Sequence, residues 1–283
     1  MKVFPGKPNA LEEIFDVHKP IIGMIHLKPL PGAPRYNGES LDEVVAYALK
    51  EVSTYEEGGV DGLIVENGWD LPFSRPENIG HETSTAITYV TQSIMAETEM
   101  PVGINVLANG AIPALAVAKA TEAPFIRVNQ WTNAYVANEG IIEGASAEAL
   151  RYRSKIKGDD IKIFVDVHVK HGSHSIVADR SLKDLTHDAV FFDADVLIAT
   201  GSRTGDETDL SEIKGIKKNT ELPVITGSGT NADNIKKILS EAEATIVGSW
   251  LKEDGCWWKP VDINRVEKLM EQVYILRDEL TGR

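Results

Sequence analysis

Asp166, His168 and Lys170 occupy alternate positions in one apolar run, Lys162-Ile-Phe-Val-Asp-Val-His-Val-Lys170. Alternate residues of an extended strand share a face. The spacing therefore predicts a row bearing a carboxylate, an imidazole and an amine, with Val165, Val167 and Val169 on the opposite, helix-facing side. Taking three ionisable groups out of water is costly, so such a row is expected to point into a site rather than fill a core. A structural ion-pair network is the alternative.

Other apolar runs end in the same manner. His26 closes Ile22-Gly-Met-Ile-His, Glu66 and Asn67 close Leu63-Ile-Val-Glu-Asn, and Asn105 sits in Gly103-Ile-Asn-Val. Arg127 and Asn129 alternate in Phe125-Ile-Arg-Val-Asn. Each alone fits a satisfied core hydrogen bond; as a set they predict polar tips converging at one height.

Two chemistries suit that set. Glu66, Asp166 and His168, with His26, offer oxygen and nitrogen ligands for a divalent cation, although no tight HExxH-type spacing is present. Alternatively, carboxylate and imidazole share acid–base work. Asp166 or Glu66 would be the base, His168 or His26 the partner acid, and Arg127 or Lys170 the stabiliser of developing oxyanion charge. A Schiff base on Lys170 or Lys28 is a weaker alternative, because the sequence shows no environment that would lower either pKa. No cofactor beyond that candidate cation is implied.

A second pattern lies downstream. Pro223-Val-Ile-Thr-Gly-Ser-Gly-Thr-Asn231 is a strand running into a glycine-rich turn and then a helix, and the next apolar run ends Ile246-Val-Gly-Ser249. Glycine permits close approach of backbone to ligand, and a following helix offers free N–H groups to an anion. Gly227, Ser228, Gly229, Gly248 and Ser249 are thus expected to hold a substrate phosphate. Gly201-Ser-Arg-Thr-Gly205 is either a flexible cationic addition to the site or a plain surface connection.

Eight β-rich runs must position these residues: Ile21–Leu27, Gly62–Asn67, Pro101–Leu107, Phe125–Asn129, Lys162–Lys170, Val196–Thr200, Pro223–Ser228 and Ala244–Leu251. Amphipathic helical patterns separate them, at Leu41–Glu57, Thr83–Glu97, Ala111–Thr121, Ala147–Lys157, Leu182–Phe191, Leu210–Asn219, Ala232–Ser240 and Asp262–Glu279. Eight strand–helix units within 283 residues predict one α/β domain over 1–283, a (β/α)8 TIM barrel, rather than an open doubly wound sheet. A short N-terminal extension, about residues 1–20, would contribute a helix over Asn9–Phe15 that covers the barrel bottom. Chemistry in such a barrel sits at the C-terminal strand ends, with phosphate frequently held after strands seven and eight.

The long loops Lys28–Tyr36 and Gly68–Arg75 are candidate walls or lids. Trp69, Phe73 and Arg75 would line a pocket or meet another subunit, whereas Trp257 and Trp258 read as packing or interface. A formal charge of −14 argues against a broadly basic nucleic-acid binder. One cysteine, Cys256, excludes an internal disulfide and a cysteine metal cluster. No apolar run has membrane-spanning length and residues 1–8 lack a signal-peptide pattern, so a cytoplasmic protein without membrane insertion is expected. A homo-oligomer is expected as well.

Several stretches also carry a resemblance: Ile22-Gly-Met-Ile-His-Leu-Lys-Pro-Leu-Pro-Gly-Ala-Pro-Arg35, Gly103-Ile-Asn-Val, Phe125-Ile-Arg-Val-Asn, Gly140-Ile-Ile-Glu-Gly144, Asp166-Val-His-Val-Lys-His171, Thr200-Gly and Gly227-Ser-Gly. From about residue 18 onward the chain resembles the BtpA family, which includes the SgcQ-like proteins. The resemblance implies a ribulose-phosphate-binding type of barrel, and supplies neither a settled reaction nor catalytic residues. Two different roles follow. One, resting on the glycine-rich turns and the row Asp166, His168 and Lys170, is an enzyme acting on a phosphorylated sugar or similar small metabolite, as an isomerase, epimerase or aldolase-type lyase; the resemblance adds a link to carbohydrate metabolism. The other is a non-catalytic assembly or regulatory factor, since the family name comes from a factor needed for photosystem I accumulation in cyanobacteria.

Overall fold

The computed structural model describes residues 6–201 and 210–282. A short helix α1 (Ala10–Ile14) precedes β1 (Ile21–His26), α2 (Leu41–Gly58), β2 (Gly62–Glu66), α3 (His81–Met95), β3 (Val102–Asn105), α4 (Ala111–Thr121) and β4 (Phe125–Val128). A two-stranded insertion follows, β5 (Ala134–Ala137) and β6 (Gly140–Glu143), and then α5 (Ser146–Lys155) and β7 (Lys162–Asp166). The chain continues through α6 (Leu182–Phe191), β8 (Val196–Ala199), α7 (Leu210–Lys217), β9 (Val224–Thr226), α8 (Ile235–Leu239), β10 (Thr245–Val247) and α9 (Ile263–Thr281).

Eight parallel strands close in the order β1-β10-β9-β8-β7-β4-β3-β2, with helices between them, so the fold is a TIM barrel. Strands covered on both faces explain why the sequence reads as β-branched runs rather than clean alternation. Their outer faces pack under the helices in one apolar core, where Ile25, Val65, Ile104, Ile126, Val165 and Leu197 are fully or almost fully buried. The inner faces form a second core of Ile22, Met24, Ile64, Phe125, Phe164, Ile198, Ile225 and Ile246.

Alanine and leucine from α1 close the bottom of that inner core, together with Phe15. The Phe15 ring meets Phe125 at 6.0 Å, and Phe125 stacks on Phe164 at 4.5 Å with an interplanar angle of 22°. Aromatic pairs of this kind add about 0.5–1.5 kcal/mol beyond their buried area. The expected covering helix is therefore present, anchored by Asn9, whose side chain caps it by accepting from Leu11 N.

Helix boundaries follow the capping chemistry. Ser40 accepts from Glu43 N at the start of α2, and Gly59, at φ +83°, ends the helix in the left-handed conformation. Gly23 serves packing instead: a Cβ there would lie 2.8 Å from the Tyr55 ring, whose hydroxyl donates to Met24 O.

Two expectations about elements are corrected. The fifth barrel strand, β7, stops at Asp166 instead of running to Lys170. Beyond it the chain is drawn toward the β5–β6 insertion by a bridge between Ser173 and Val136. That hairpin was not expected: its Ala-Tyr-Val-Ala and Gly-Ile-Ile-Glu strands are too short and too exposed to leave an apolar signature.

Candidate active site

Strand register assembles the site. His26 pairs with Glu66, Glu66 with Asn105, and Asn105 with Arg127, running across β1, β2, β3 and β4. Each continues the inner face of its strand, one layer above the apolar core. Asp166 reaches the same layer from β7, two residues past the register partner of Arg127, Phe164. All five are buried. The strand-end set therefore converges as the sequence predicts.

Arg127 grips Asp166 with two parallel bonds, Nε to Oδ1 at 3.0 Å and Nη2 to Oδ2 at 3.1 Å, and Asn129 Nδ2 donates to Oδ2 at 3.4 Å. A bidentate, charge-assisted pair of this kind fixes both groups. Glu66 Oε2 accepts from Asn105 Nδ2, while Glu66 Oε1 lies 3.8 Å from His26 Nε2. Burial raises the Glu66 pKa above the ordinary carboxylate range, against the pull of Arg127 and Lys170. Burial, reinforced by the positive charges of Lys252 and Lys170, holds His26 neutral by lowering its pKa well below the usual value. Three buried polar atoms in this layer have no partner among the described residues: His26 Nδ1, Asn105 Oδ1 and Asn129 Oδ1. Unpaired buried polar atoms are expensive, and at a cavity they mark positions where a ligand or water completes the bonding.

Above the layer lies a cavity of about 540 Å³, lined by His26, Glu66, Arg127, Asn129 and Lys170. The glycine-rich segments Gly227–Gly229 and Gly248–Ser249 line it as well. All five residues expected to hold phosphate thus face the same space as the acid–base groups. Gly227 is needed there on steric grounds, since a Cβ would lie 2.7 Å from Ile198 Cγ2 and 3.1 Å from Arg127 Nη2. Gly229, at φ +70°, sits in the left-handed region. The anticipated helix dipole is not immediately behind this turn. Asn231 Oδ1 accepts from Asp233 N and Asn234 N, Asn234 Nδ2 donates to Gly229 O, and α8 begins only at Ile235. Gly248 and Ser249 lead directly into a short 3-10 turn, Ser249–Leu251.

His168 departs from the expected row. With the strand ended at Asp166, alternation no longer governs, and the His168 ring stacks on His174 at 3.8 Å beside a separate cleft that includes Arg180 and Leu185. Val169, expected on the helix-facing side, instead lines the main cavity and packs with Tyr135 and Ile142. Glu66, Asp166 and His168 therefore do not converge as metal ligands, and among the described residues no three His, Cys, Asp or Glu side chains form a metal-holding cluster. Residues 202–209, most of the Gly201–Gly205 loop, lie outside the described residues.

Lys170 does reach the cavity, where its Nζ donates to Gly227 O at 3.4 Å. Burial and the neighbouring Arg127 charge lower its pKa to about 8, outweighing Asp166 and Glu66. The environment that the sequence does not reveal is thus present. Lys28 is placed elsewhere, its Nζ held 4.4 Å from the Tyr47 ring and 4.5 Å from the Trp69 ring.

Several lining residues escaped the sequence reading. Tyr135, Asn138 and Glu139 come from the unexpected hairpin, and Trp257, read as packing, also lines the cavity. Trp257 meets His26 edge-on at 5.6 Å and Trp69 at 5.5 Å. Phe73 lines the cavity as expected, whereas Arg75 does not line it and donates to Ile141 O at 3.3 Å, tying the second loop to the hairpin. Clustered aromatics near a glycine-rich turn were the only available signal for Trp257.

The fold and the placement of its polar layer define a TIM barrel with a ligand-sized cavity at the C-terminal strand ends. The chain belongs to the BtpA family, whose sequence model matches residues 17–274. An uncharacterized protein of Pyrococcus horikoshii is 40% identical over 261 residues, covering 92% of this chain and 98% of its own length. The photosystem I biogenesis protein BtpA of Synechocystis is 37% identical over 265 residues, covering 92% of this chain and 90% of its own. An uncharacterized mitochondrial protein of Caenorhabditis elegans is 36% identical over 273 residues, covering 95% and 98%. Among solved structures, Mycobacterium tuberculosis tryptophan synthase superposes with a TM-score of 0.61 at 13% identity, covering 94% of this chain and 99% of that one. The phosphoribosylanthranilate isomerase of Pyrococcus furiosus does so with a TM-score of 0.56 at 15% identity, covering 91% and 100%. These likenesses are of fold. Among the described residues no helix is long and apolar enough to cross a membrane.

Proposed function

We propose that the protein is an enzyme acting on a small phosphorylated metabolite, a phosphorylated sugar or a compound of similar size, by isomerisation, epimerisation or aldol-type cleavage. The observation that carries this reading is the shared cavity. Unsatisfied polar atoms, acid–base groups and glycine-rich backbone share one cavity of about 540 Å³, room enough for a small metabolite. Gly227, Ser228, Gly229, Gly248 and Ser249 would seat the phosphate, consistent with where TIM barrels frequently hold it. The fold neighbour named as a phosphoribosylanthranilate isomerase acts on a phosphate-bearing substrate by its name, which supports the same reading.

Roles follow from protonation and pairing. Both Asp166 oxygens are engaged by Arg127, so Asp166 is the orienting carboxylate, and Glu66 is the proton-transfer group with neutral His26 beside it. Arg127 stabilises developing oxyanion charge, Asn129 presents its unbonded carbonyl oxygen to substrate hydroxyls, and Asn105 holds Glu66 in place by donating to its Oε2. His168 serves the neighbouring loop. We place this activity in a single barrel domain, working in the cytoplasm as a homo-oligomer.

A thermal-shift screen of phosphorylated sugars, run with and without divalent cations, tests the reading. A ligand at 100 times its Kd stabilises by about 2.7 kcal/mol. Absence of a shift with every phosphorylated compound would overturn it. The second role, assembly factor, is favoured by the name of the Synechocystis relative, a photosystem I biogenesis protein. Stable binding to membrane proteins, undiminished by Glu66→Gln and Asp166→Asn, would support that role instead.

A further inference from the structure

We propose that Lys170 is a covalent catalyst, forming an imine with an aldehyde or ketone carbonyl of the substrate. This deepens the reading of the cavity as a site for phosphorylated metabolites and rests on it.

The contrast with Lys252 carries the inference. Lys252 is fully buried and is matched by a carboxylate, Glu51 Oε1, at 2.7 Å. A lysine buried for structural reasons is paired in this way. Lys170 also leaves bulk water, but it forms no ion pair among the described residues and makes one long bond, to Gly227 O at 3.4 Å. The carboxylates of the layer are already committed, Asp166 to Arg127 and Glu66 to Asn105. Gly227 brings two cations close together, since its carbonyl meets the Lys170 amine and its Cα faces Arg127 Nη2. A guanidinium stays charged, so the amine is the group that gives up its proton. A neutral amine is a poor anchor for an anion and a good nucleophile. The lowered pKa of Lys170 agrees with this.

The step balances within the site. The Lys170 Nζ lone pair attacks the carbonyl carbon, and the carbonyl oxygen takes a proton from Glu66, whose burial favours the protonated acid. Glu66 then recovers a proton from the nitrogen, leaving a neutral carbinolamine. Returning that proton to the hydroxyl releases water as the nitrogen lone pair closes the C=N bond. The products are a protonated imine, one water and ionised Glu66. That imine withdraws electrons from the adjacent carbon, which serves both proton removal there and cleavage of the next carbon–carbon bond. Because Lys170 touches the Gly227 turn itself, the substrate class is a carbonyl compound with its phosphate only a short chain away.

The test uses the full chain with two probes, dihydroxyacetone phosphate plus cyanoborohydride, and pyridoxal phosphate plus borohydride. Peptide mapping by mass spectrometry reads the modified lysine. Lys170 should label faster than exposed lysines by on the order of a hundredfold near neutral pH, the ratio of neutral amine that its lowered pKa implies. Lys170→Met and Lys170→Arg should abolish that label. Thermal shift by inorganic phosphate is measured on the same three proteins. Lys170→Arg keeping the phosphate shift while losing the label supports the proposal. A phosphate shift without preferential labelling of Lys170 in the unmodified chain overturns the imine alone. Loss of both shift and label overturns the phosphate reading with it.

Discussion

Arg127 and Asp166, on adjacent strands β4 and β7, are joined by two parallel hydrogen bonds of 3.0 and 3.1 Å, and Arg127 lines the cavity. Asp166→Ala would leave a buried guanidinium without its counter-ion, and breaking such a pair from one side costs about 3–5 kcal/mol. Replacing both, Arg127→Met with Asp166→Leu, should recover much of that loss while still abolishing ligand-induced stabilisation. Urea unfolding of the single and double variants measures the coupling. Independent, additive losses would show that the pair is not a unit.

Gly227→Ala should be costly and Gly248→Ala mild. The first places a Cβ 2.7 Å from Ile198 and 3.1 Å from Arg127, whereas the second meets Met24 at 3.4 Å, an ordinary contact. Overpacking of the first kind costs about 1–3 kcal/mol. Midpoints of urea denaturation for the two variants give the comparison directly, and equal losses would contradict the steric assignment of Gly227.

Lys170 predicts a rise in stability at alkaline pH. Its pKa falls from an ordinary 10.5 to about 8 on folding, so between these values the unfolded chain binds more protons than the folded one. Stability then increases with pH across that window, having carried the full penalty below about 8. The gain is up to roughly 3 kcal/mol, from about 1.4 kcal/mol per unit. Lys170→Met should flatten this part of the profile, so the difference between the two pH curves is the measurement. A difference that falls with pH would reverse the assignment.

Trp257 should report ligand binding. Its ring lines the cavity and touches both His26 and Trp69, so a molecule seated there changes its surroundings. A phosphorylated ligand that raises the melting temperature should alter tryptophan emission, and Trp257→Phe should remove most of that change. If the signal survives in Trp257→Phe, the ligand sits elsewhere.

The barrel was legible because eight buried strands leave eight β-branched runs, and each needs an amphipathic helix to return the chain. The polar layer was legible for a related reason: His26, Glu66, Asn105 and Arg127 each interrupt an otherwise apolar inner face. What the sequence hid depends on where strands stop. Alternation from Asp166 to Lys170 looks continuous, yet the ladder ends at Asp166, and only the bridge from Ser173 to Val136 shows why. Lys170 still arrives in the cavity, through loop geometry rather than strand period. The β5–β6 hairpin was hidden because strands with one buried residue each carry almost no pattern. Residue pairing across strands, as between Arg127 and Asp166, has no local signature at all.

Phe15, tilted against Phe125 and backed by α1, stoppers the barrel at the end opposite the cavity. With that end plugged, a molecule bound beside Glu66 has to arrive and depart on the side of the strand-end loops, so under the proposed function the release of one molecule and the entry of the next would share a path.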